Sequence, residues 1–276
     1  MKKKPRIAFI GDLTVDRYID KKEICLGGAA LNGAVWATRV GARASVVTAV
    51  GDDAVSRQFF ELFQKENIDA SRVSSLHGST SSIEVHVDAD GEKHYGEWDP
   101  GILANYHLKK RNIRFLKKCD AMVVTVYPVY LHVLDELGSV KVVHRKKPLI
   151  VVNFGDLREF GSDIRIVQQY APLSDILVFG LNKDTDEAHI NVLRQLAHDA
   201  HKMVIITLGE FGSLVYNDDT IYLQPAIVTP IVDTTGAGDA FLAAYMVKYL
   251  ETGDVQKSLS AGSNIASQVI GRLGAY

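Results

Sequence analysis

The sequence predicts an α/β fold with three layers, in which helices cover both faces of a mostly parallel central sheet. The first reason is a series of short, nearly continuous apolar runs separated by helical patterns, as expected for strands buried on both faces. The second is a set of glycine-rich turns that follow such runs. The third is a half-polar hairpin, which we interpret as a small lid beside the main sheet.

Composition sets limits on the class of protein. The 276 residues are 47% hydrophobic and carry a net charge of −2, so the chain can bury a large core. No clear linker divides it, and we expect one domain over residues 1–276. Lysines and arginines are dispersed, which favours neither nucleic acid nor a membrane surface as partner. Two cysteines and the lack of a signal-like or membrane-spanning run predict a cytoplasmic protein.

The first strand is predicted at Arg6–Gly11, and two acids, Asp12 and Asp16, follow it. Carboxylates just beyond the carboxyl end of a strand lie where open α/β sheets bind ligands. By themselves the two acids are more typical of a solvated polar turn. The binding interpretation therefore depends on other motifs reaching the same edge.

A diglycine, Gly27-Gly28, precedes an alanine-rich helix that Gly41 ends, with Asn32 in its first turns. Small residues at a helix start allow a ligand to approach the backbone, but they also allow close packing of helix on sheet. A strand and a further helix follow, at Ala44–Val50 and Asp53–Glu66.

The segment Ser81–Trp98 alternates apolar and polar residues and contains Asp90-Gly91, a strong hairpin signal. We interpret it as part of a lid formed around residues 12–24 and 80–98. Its apolar face is a candidate surface for a homodimer that forms through the lid.

The second half of the chain repeats strand and helix. Strands are predicted at Ala121–Val126, Leu149–Asn153, Ile176–Phe179 and Val204–Thr207, with a helix over Asp184–Lys202. A hairpin is predicted at Ser213–Tyr216 and Thr220–Leu223, and the last two helices at Gly238–Leu250 and Asp254–Ile270.

The most informative motif is Asp233-Thr234-Thr235-Gly236-Ala237-Gly238-Asp239, which follows an apolar run, Ala226–Val232, read as a strand. The glycines leave backbone N–H groups at a helix start accessible to an anion such as phosphate. A carboxylate beside a phosphate site repels its ligand, unless it removes a proton from the attacking hydroxyl. The alternative is that Asp239 is an ordinary first-turn residue.

Two spaced motifs now make the family recognisable. Gly27-Gly28 with Asn32 and Gly41, together with the motif ending in Asp239, resembles the two signatures of the ribokinase-like (PfkB) carbohydrate kinases over nearly the whole chain. The resemblance implies the ribokinase-like fold and transfer of phosphate from ATP, with Mg²⁺, to a primary hydroxyl of a small sugar. A P-loop motif and a dinucleotide fingerprint are both absent from the sequence.

The resemblance also implies roles by position. Asp239 matches the catalytic base, and Gly236, Ala237 and Gly238 match the anion hole. The sugar-binding positions are Asp12, Asp16, Gly27, Gly28 and Asn32; the ATP-binding positions are Asn182, Thr207, Gly209, Gly212, Ser263 and Asn264; and a monovalent cation such as K⁺ would lie at Asp233 and Thr235. Thr185 replaces the glutamate of the family's N-x-x-E element, which leaves the magnesium arrangement open.

Within the family, the run Gly96–Ile102 and the end Gly274-Ala275-Tyr276 resemble the fructoselysine 6-kinase branch. Glu97 or Asp99 would then bind the substrate's ammonium, although both are equally typical of solvated lid charges. The alternatives are a general sugar or nucleoside kinase of the same family, and a binding or regulatory protein that has lost catalysis.

Overall fold

The computed structural model describes residues 3–20, 23–87, 93–138 and 148–276. The strands are β1 (Arg6–Ile10), β2 (Thr14–Tyr18), β3 (Glu23–Gly27), β4 (Arg43–Gly51), β5 (Asp69–Leu76), β6 (Ser82–Val87), β7 (Lys93–Asp99), β8 (Ala121–Thr125), β9 (Leu149–Gly155), β10 (Ile176–Gly180), β11 (Met203–Thr207), β12 (Ser213–Asn217) and β13 (Thr220–Gln224). The helices are α1 (Ala29–Arg39), α2 (Ser56–Glu66), α3 (Lys110–Leu116), α4 (His132–Leu137), α5 (Ile164–Tyr170), α6 (Glu187–Asp199), α7 (Ala237–Thr252) and α8 (Val255–Ile270).

The central sheet contains nine strands within the described residues, in the order β13-β12-β11-β10-β9-β8-β1-β4-β5. The seven strands from β11 to β5 pair in parallel, whereas β12 and β13 add an antiparallel hairpin at one edge. The predicted mostly parallel sheet is confirmed. Because parallel strands all end at the same edge, the segments that follow them are brought together there.

Alternate residues of each central strand enter separate cores. Ile7 and Phe9 of β1 belong to the core that contains side chains of α1, α2, α7 and α8. Ala8 and Ile10 belong to the core on the opposite face, with side chains of α3, α4, α5 and α6. Burial on both faces explains why these strands are nearly continuous apolar runs. Among the described residues, no helix is both long and apolar enough to span a bilayer.

A second sheet has four described strands in the order β3-β2-β6-β7. Two antiparallel hairpins, β2-β3 and β6-β7, are joined by parallel pairing of β2 with β6. The described residues of the predicted lid segments, 12–24 and 80–98, therefore largely form one sheet, which we call the lid sheet. The Asp90-Gly91 turn lies outside the described residues.

The predicted strand at Ala226–Val232 is wrong. The chain leaves the sheet after β13 and runs irregularly to α7, with Val228 99% and Ile231 67% exposed. Pro225 precedes the run and Pro230 lies within it, and both lack the N–H that a ladder needs. An apolar run becomes a strand only where a partner strand can pair with it, and the sequence does not show that partner.

Candidate active site

A cavity of about 1250 Å³ lies between the carboxyl ends of the central strands and the lid sheet. Asp12 follows β1, Thr125 ends β8 and Asn153 lies near the end of β9, and all three line it. The lid sheet contributes residues from all four of its strands, among them Asp16 and Glu97. This is the edge at which open α/β sheets bind ligands.

Asp239 lies in the first turn of α7 and lines this cavity. Its Oδ2 accepts a hydrogen bond from Nδ2 of Asn32 at 2.9 Å. Burial raises the pKa of the Asp239 carboxyl to about 7, against the opposing effect of the Asn32 hydrogen bond. A carboxyl group that titrates near neutral pH is suited to accept a proton from a hydroxyl.

Gly236 precedes α7 with a φ of 73°, in the left-handed region that favours glycine. A Cβ at this position would lie 2.5 Å from the Cβ of Ala275. Both the backbone conformation and the lack of space therefore require glycine here. The turn is fixed next to the chain segment that ends at Tyr276.

The N-terminus of α7 separates two cavities. Gly236 and Asp239 line the larger one, while Ala237 and Gly238 line a smaller one of about 160 Å³. First-turn N–H groups have no partner inside their own helix, and the positive end of the helix dipole lies there. A group bound in one cavity can thus meet a group bound in the other at an anion-binding helix end.

The smaller cavity is also lined by four of the predicted ATP-binding residues, Thr207, Gly209, Gly212 and Ser263. The hydroxyl Oγ of Ser213 is buried there and finds no hydrogen-bond partner among the described residues. An unpaired buried hydroxyl is costly unless a ligand satisfies it. This cavity is therefore suited to a polar ligand such as a nucleotide.

Two predicted ATP-binding residues line neither cavity. The Oδ1 of Asn182 accepts hydrogen bonds from the backbone N–H groups of Asp184 and Thr185, which form a turn that delays the start of α6 to Glu187. The Nδ2 of Asn264 donates to the carbonyl of Ser260, one turn earlier in α8. Both side chains are exposed and serve local structure.

Asp12 is the centre of a buried hydrogen-bond network. Its Oδ1 accepts from the backbone N–H of Ala29 at 3.0 Å and from the hydroxyl of Tyr127 at 3.1 Å. Its Oδ2 accepts from Thr14 at 2.6 Å. Burial raises the pKa of Asp12, and these donors oppose the rise. The network fixes the carboxylate in one orientation at the cavity floor.

The same network continues into the lid sheet. The Thr14 hydroxyl lies 3.0 Å from the hydroxyl of Ser81, which accepts from Nε1 of Trp98 at 2.7 Å. The rings of Trp98 and Tyr127 pack with centroids 4.8 Å apart. Tyr127, Ser81 and Trp98 were missed as site residues. Tyr127 could have been found, because it follows the carboxyl end of β8.

Gly27 and Gly28 allow close approach at the end of β3. A Cβ at Gly28, whose φ is 103°, would lie 2.5 Å from the carbonyl oxygen of Asp12, and one at Gly27 would lie 3.2 Å from Oδ2 of Asp16. The expectation that the glycine-rich turns follow strands of the parallel sheet is wrong for two of them. Gly27 ends a strand of the lid sheet, and Gly236 follows irregular chain.

Glu97 and Asp99 both lie within β7. The pairing of β6 with β7 shifts register between Ile83 and Val85, and Glu97 lies in this irregular stretch and lines the cavity. Asp99 has a different role, since its Oδ1 accepts from the backbone N–H of Gly101. Glu97 alone of the two is available to a ligand in the cavity.

Asp233 and Thr235, the predicted cation ligands, form a compact turn. The Oδ1 of Asp233 accepts from both the N–H and the hydroxyl of Thr235, and its Oδ2 accepts from the N–H of Gly274. The Thr235 hydroxyl also lies 3.3 Å from the hydroxyl of Tyr95 on β7. This contact joins the lid sheet to the glycine-rich turn.

The charges around the larger cavity all have one sign. Its described lining includes six acidic side chains and no lysine, arginine or histidine: Asp12, Asp16, Glu23, Glu97, Glu159 and Asp239. Burial raises the pKa of Asp12, Glu159 and Asp239, so these three carry less negative charge near neutral pH than the others. A cavity of this kind favours neutral or cationic ligands and disfavours a ligand that already carries phosphate.

A sheet edge that presents a carboxyl group with a pKa near 7 and a helix N-terminus between two cavities is suited to transfer of a phosphoryl group between two small molecules. The chain belongs to the pfkB family of carbohydrate kinases, whose family model matches residues 10–276. It is therefore an ATP-dependent sugar kinase, and the expectation of an enzyme is confirmed.

Individual relatives point the same way. The chain is 27% identical to fructosamine kinase FrlD of Bacillus subtilis, over 98% of this chain and 93% of the relative. It is 26% identical to fructoselysine 6-kinase of Escherichia coli, over 98% of this chain and 99% of the relative. The fold matches that of a nucleoside kinase from Methanocaldococcus jannaschii with a TM-score of 0.81 at 19% identity, covering 100% and 94% of the two chains. The ribokinase-like fold is confirmed.

Proposed function

We propose that this kinase phosphorylates the primary hydroxyl of the sugar part of a fructosamine such as fructoselysine. The observation that carries the proposal is the acidic lining of the larger cavity, which contains no basic side chain among its described residues. A fructosamine carries an ammonium group next to its sugar. Two relatives of similar length are named for substrates of this class.

The sugar hydroxyls would bind at the floor of the cavity. Asp12 is held there by three donors, and the Oδ1 of Asn32 is buried without a hydrogen-bond partner among the described residues. An unpaired acceptor in a cavity wall is satisfied by a hydroxyl that donates to it. Since Nδ2 of the same amide donates to Asp239, a hydroxyl bound at Asn32 is held beside the carboxylate.

Asp239 then acts as the general base. It removes the proton of the attacking hydroxyl as that oxygen bonds to phosphorus, which gives the phosphorylated sugar and ADP. The N–H groups at Gly236–Gly238 stabilise negative charge on the transferring phosphoryl group. The lid sheet excludes water, which would otherwise hydrolyse ATP.

ATP would occupy the smaller cavity, where the unpaired Ser213 hydroxyl offers a partner. Mg²⁺, which the family typically uses, neutralises phosphate charge when bound. The described lining of this cavity carries no carboxylate, and Asp186, near the altered N-x-x-E element, is buried with its Oδ2 accepting from the N–H of Asn182. These residues therefore do not form a preorganised magnesium site.

Glu97 is our candidate for the ammonium partner. It lines the cavity on the lid sheet, above the floor that Asp12 forms. A charge-assisted hydrogen bond from an ammonium to a carboxylate is stronger than one between neutral groups. Glu97 would thereby favour fructoselysine over fructose.

The experiment compares Glu97→Gln with Glu84→Gln, a matched control. Glu84 lies on the neighbouring strand β6, is exposed, and does not line the cavity. We expect Glu97→Gln to raise KM for fructoselysine by up to about fivefold, because Glu97 is exposed and an exposed ion pair typically contributes about 0.2–1 kcal/mol, with little effect on fructose. Equal effects of both variants, or equal effects on both sugars, would show that Glu97 is a solvated lid charge.

A nucleoside is the second candidate substrate. The paired rings of Trp98 and Tyr127 form an aromatic wall of the larger cavity, and a base could stack there. Against this, six carboxylates around a neutral base provide more charge than its recognition requires.

Three further proposals concern conditions and assembly. A monovalent cation such as K⁺ at Asp233 and Thr235 would make turnover higher in potassium chloride than in choline chloride.

A lid-to-lid homodimer would bury Ile19 and Ile24, which are 43% and 42% exposed on the lid sheet and its margin. Light scattering would detect this dimer. We also propose a cytoplasmic enzyme, since ATP is its phosphate donor.

A further inference from the structure

A cluster of metal-ligand side chains lies outside both cavities. His107, His132 and Glu136 each offer a ligand atom, and the three atoms lie within 4.8 Å of one another. His107 comes from the chain after the 3-10 turn Gly101–Asn105, while His132 and Glu136 are four residues apart in α4. Residues with that spacing lie on one face of a helix.

Hydrogen bonds to neighbouring backbone already orient two of these side chains. The Nε2 of His132 lies 2.7 Å from the carbonyl of Tyr106, and a carbonyl can only accept, so this nitrogen carries the proton and Nδ1 keeps its lone pair. The Oε2 of Glu136 accepts from the N–H of Leu108 at 2.7 Å. Such outer hydrogen bonds fix tautomer and orientation in protein metal sites.

His107 lies against both other members of the cluster. The Oε1 of Glu136 lies 2.5 Å from Nδ1 of His107, and the rings of His107 and His132 have centroids 4.8 Å apart. The His107 side chain is 68% exposed, so solvent reaches the cluster.

We propose that His107, His132 and Glu136 bind a divalent transition-metal ion of the zinc type, with water completing the coordination. Two imidazoles and one carboxylate are a common set of zinc ligands. Imidazole nitrogen favours Zn²⁺, Co²⁺ or Ni²⁺, whereas Mg²⁺ favours oxygen ligands. The site is therefore chemically distinct from any ion that accompanies ATP.

The ion would connect two segments that border the larger cavity. His107 follows the chain that leaves β7 of the lid sheet. His132 follows the segment of Tyr127, whose hydroxyl donates to Asp12. An ion that joins them links the base of the lid sheet to the cavity floor and stabilises the folded state, because it binds only when the segments are together.

The test uses protein without a histidine tag. Zn²⁺ is titrated by calorimetry, and Co²⁺ serves as a spectroscopic probe because four-coordinate Co²⁺ absorbs strongly in the visible region. We expect one Zn²⁺ per chain in the unmodified protein, a four-coordinate Co²⁺ spectrum, and a higher midpoint of thermal unfolding with Zn²⁺. His132→Gln and Glu136→Gln should each weaken Zn²⁺ binding at least tenfold and abolish the thermal shift.

His201→Gln is the matched control, because His201 pairs with Asp218 at 2.9 Å on the surface and lies outside the cluster. It should bind Zn²⁺ as the unmodified protein does. Turnover of ATP and sugar without added Zn²⁺ should be unchanged in all three variants, which shows that they fold. No Zn²⁺ binding by the unmodified protein, or undiminished binding by His132→Gln, would overturn the proposal.

Discussion

Replacement of Asp239 by asparagine should stabilise the protein while it removes activity. The carboxyl lies in a site where burial raises its pKa to about 7. As the pH rises, the Asp239 carboxyl therefore loses its proton at a lower pH in the unfolded chain than in the folded protein. Because the folded state binds more protons through this range, stability falls as the pH rises from about 4 to about 7. Asparagine has similar size and no charge, so the variant escapes that loss.

The magnitude follows from the two pKa values, about 7 in the fold and 3.8 for an unperturbed aspartate, at about 1.36 kcal/mol per pH unit. At pH 8 the ionised group costs about (7 − 3.8) × 1.36, or roughly 4 kcal/mol, taken as an upper bound. At pH 5 the cost is about (5 − 3.8) × 1.36, or roughly 1.6 kcal/mol. The advantage of the variant should therefore grow by roughly 2–3 kcal/mol between pH 5 and pH 8.

Urea denaturation of both proteins at pH 5 and pH 8, without nucleotide or sugar, measures this difference. The same preparations provide the activity comparison, in which kcat of the variant should fall about 10²–10⁴-fold, the usual contribution of a positioned base, with ATP binding nearly intact. A stability difference that does not change with pH would refute the burial argument. Near-normal turnover would refute the role of Asp239 as base.

Two other substitutions test the surroundings of the base. Asn32→Ala removes a hydrogen-bond donor that lowers the pKa of Asp239, so the acidic limb of kcat/KM against pH should move to higher pH. An acidic limb that stays in place would mean that Asn32 does not affect the pKa of the base. Gly236→Ala introduces a Cβ that would lie 2.5 Å from Ala275. The displaced turn should lower kcat/KM about 10²-fold, as measured with ATP and sugar. Activity close to that of the unmodified enzyme would mean that catalysis does not depend on this position of the turn.

The central sheet was predictable because its signal is local. Its central parallel strands are apolar runs of about the right length with both faces buried, so the pattern needs no knowledge of distant partners. The edge strand β5 is mostly polar and was not predicted. The run Ala226–Val232 is also largely apolar and is not a strand, because it pairs with no described strand and contains Pro230. An apolar composition shows that a segment could form a strand, but whether a partner strand lies beside it depends on the fold.

Contacts between distant segments account for what the sequence did not predict. The lid is one sheet because β2 pairs with β6, and Thr14 contacts Ser81 across 67 residues. The glycine-rich turn is held by the chain's last residues, where the carbonyl of Ala275 accepts from Nε1 of Trp36. Neither contact leaves a periodic pattern in the sequence. The motif residues were found because their chemistry requires particular residue types at fixed spacing.

The most direct test of the proposed function is a set of specificity constants for the unmodified enzyme with ATP and Mg²⁺. Fructoselysine, fructose, ribose and inosine are compared under one set of conditions, with ADP formation and phosphorylated product both quantified. We expect kcat/KM to be highest for fructoselysine, and at least tenfold above fructose, because the acidic cavity favours its ammonium group. Equal values for fructoselysine and fructose, or a higher value for inosine, would contradict the assignment.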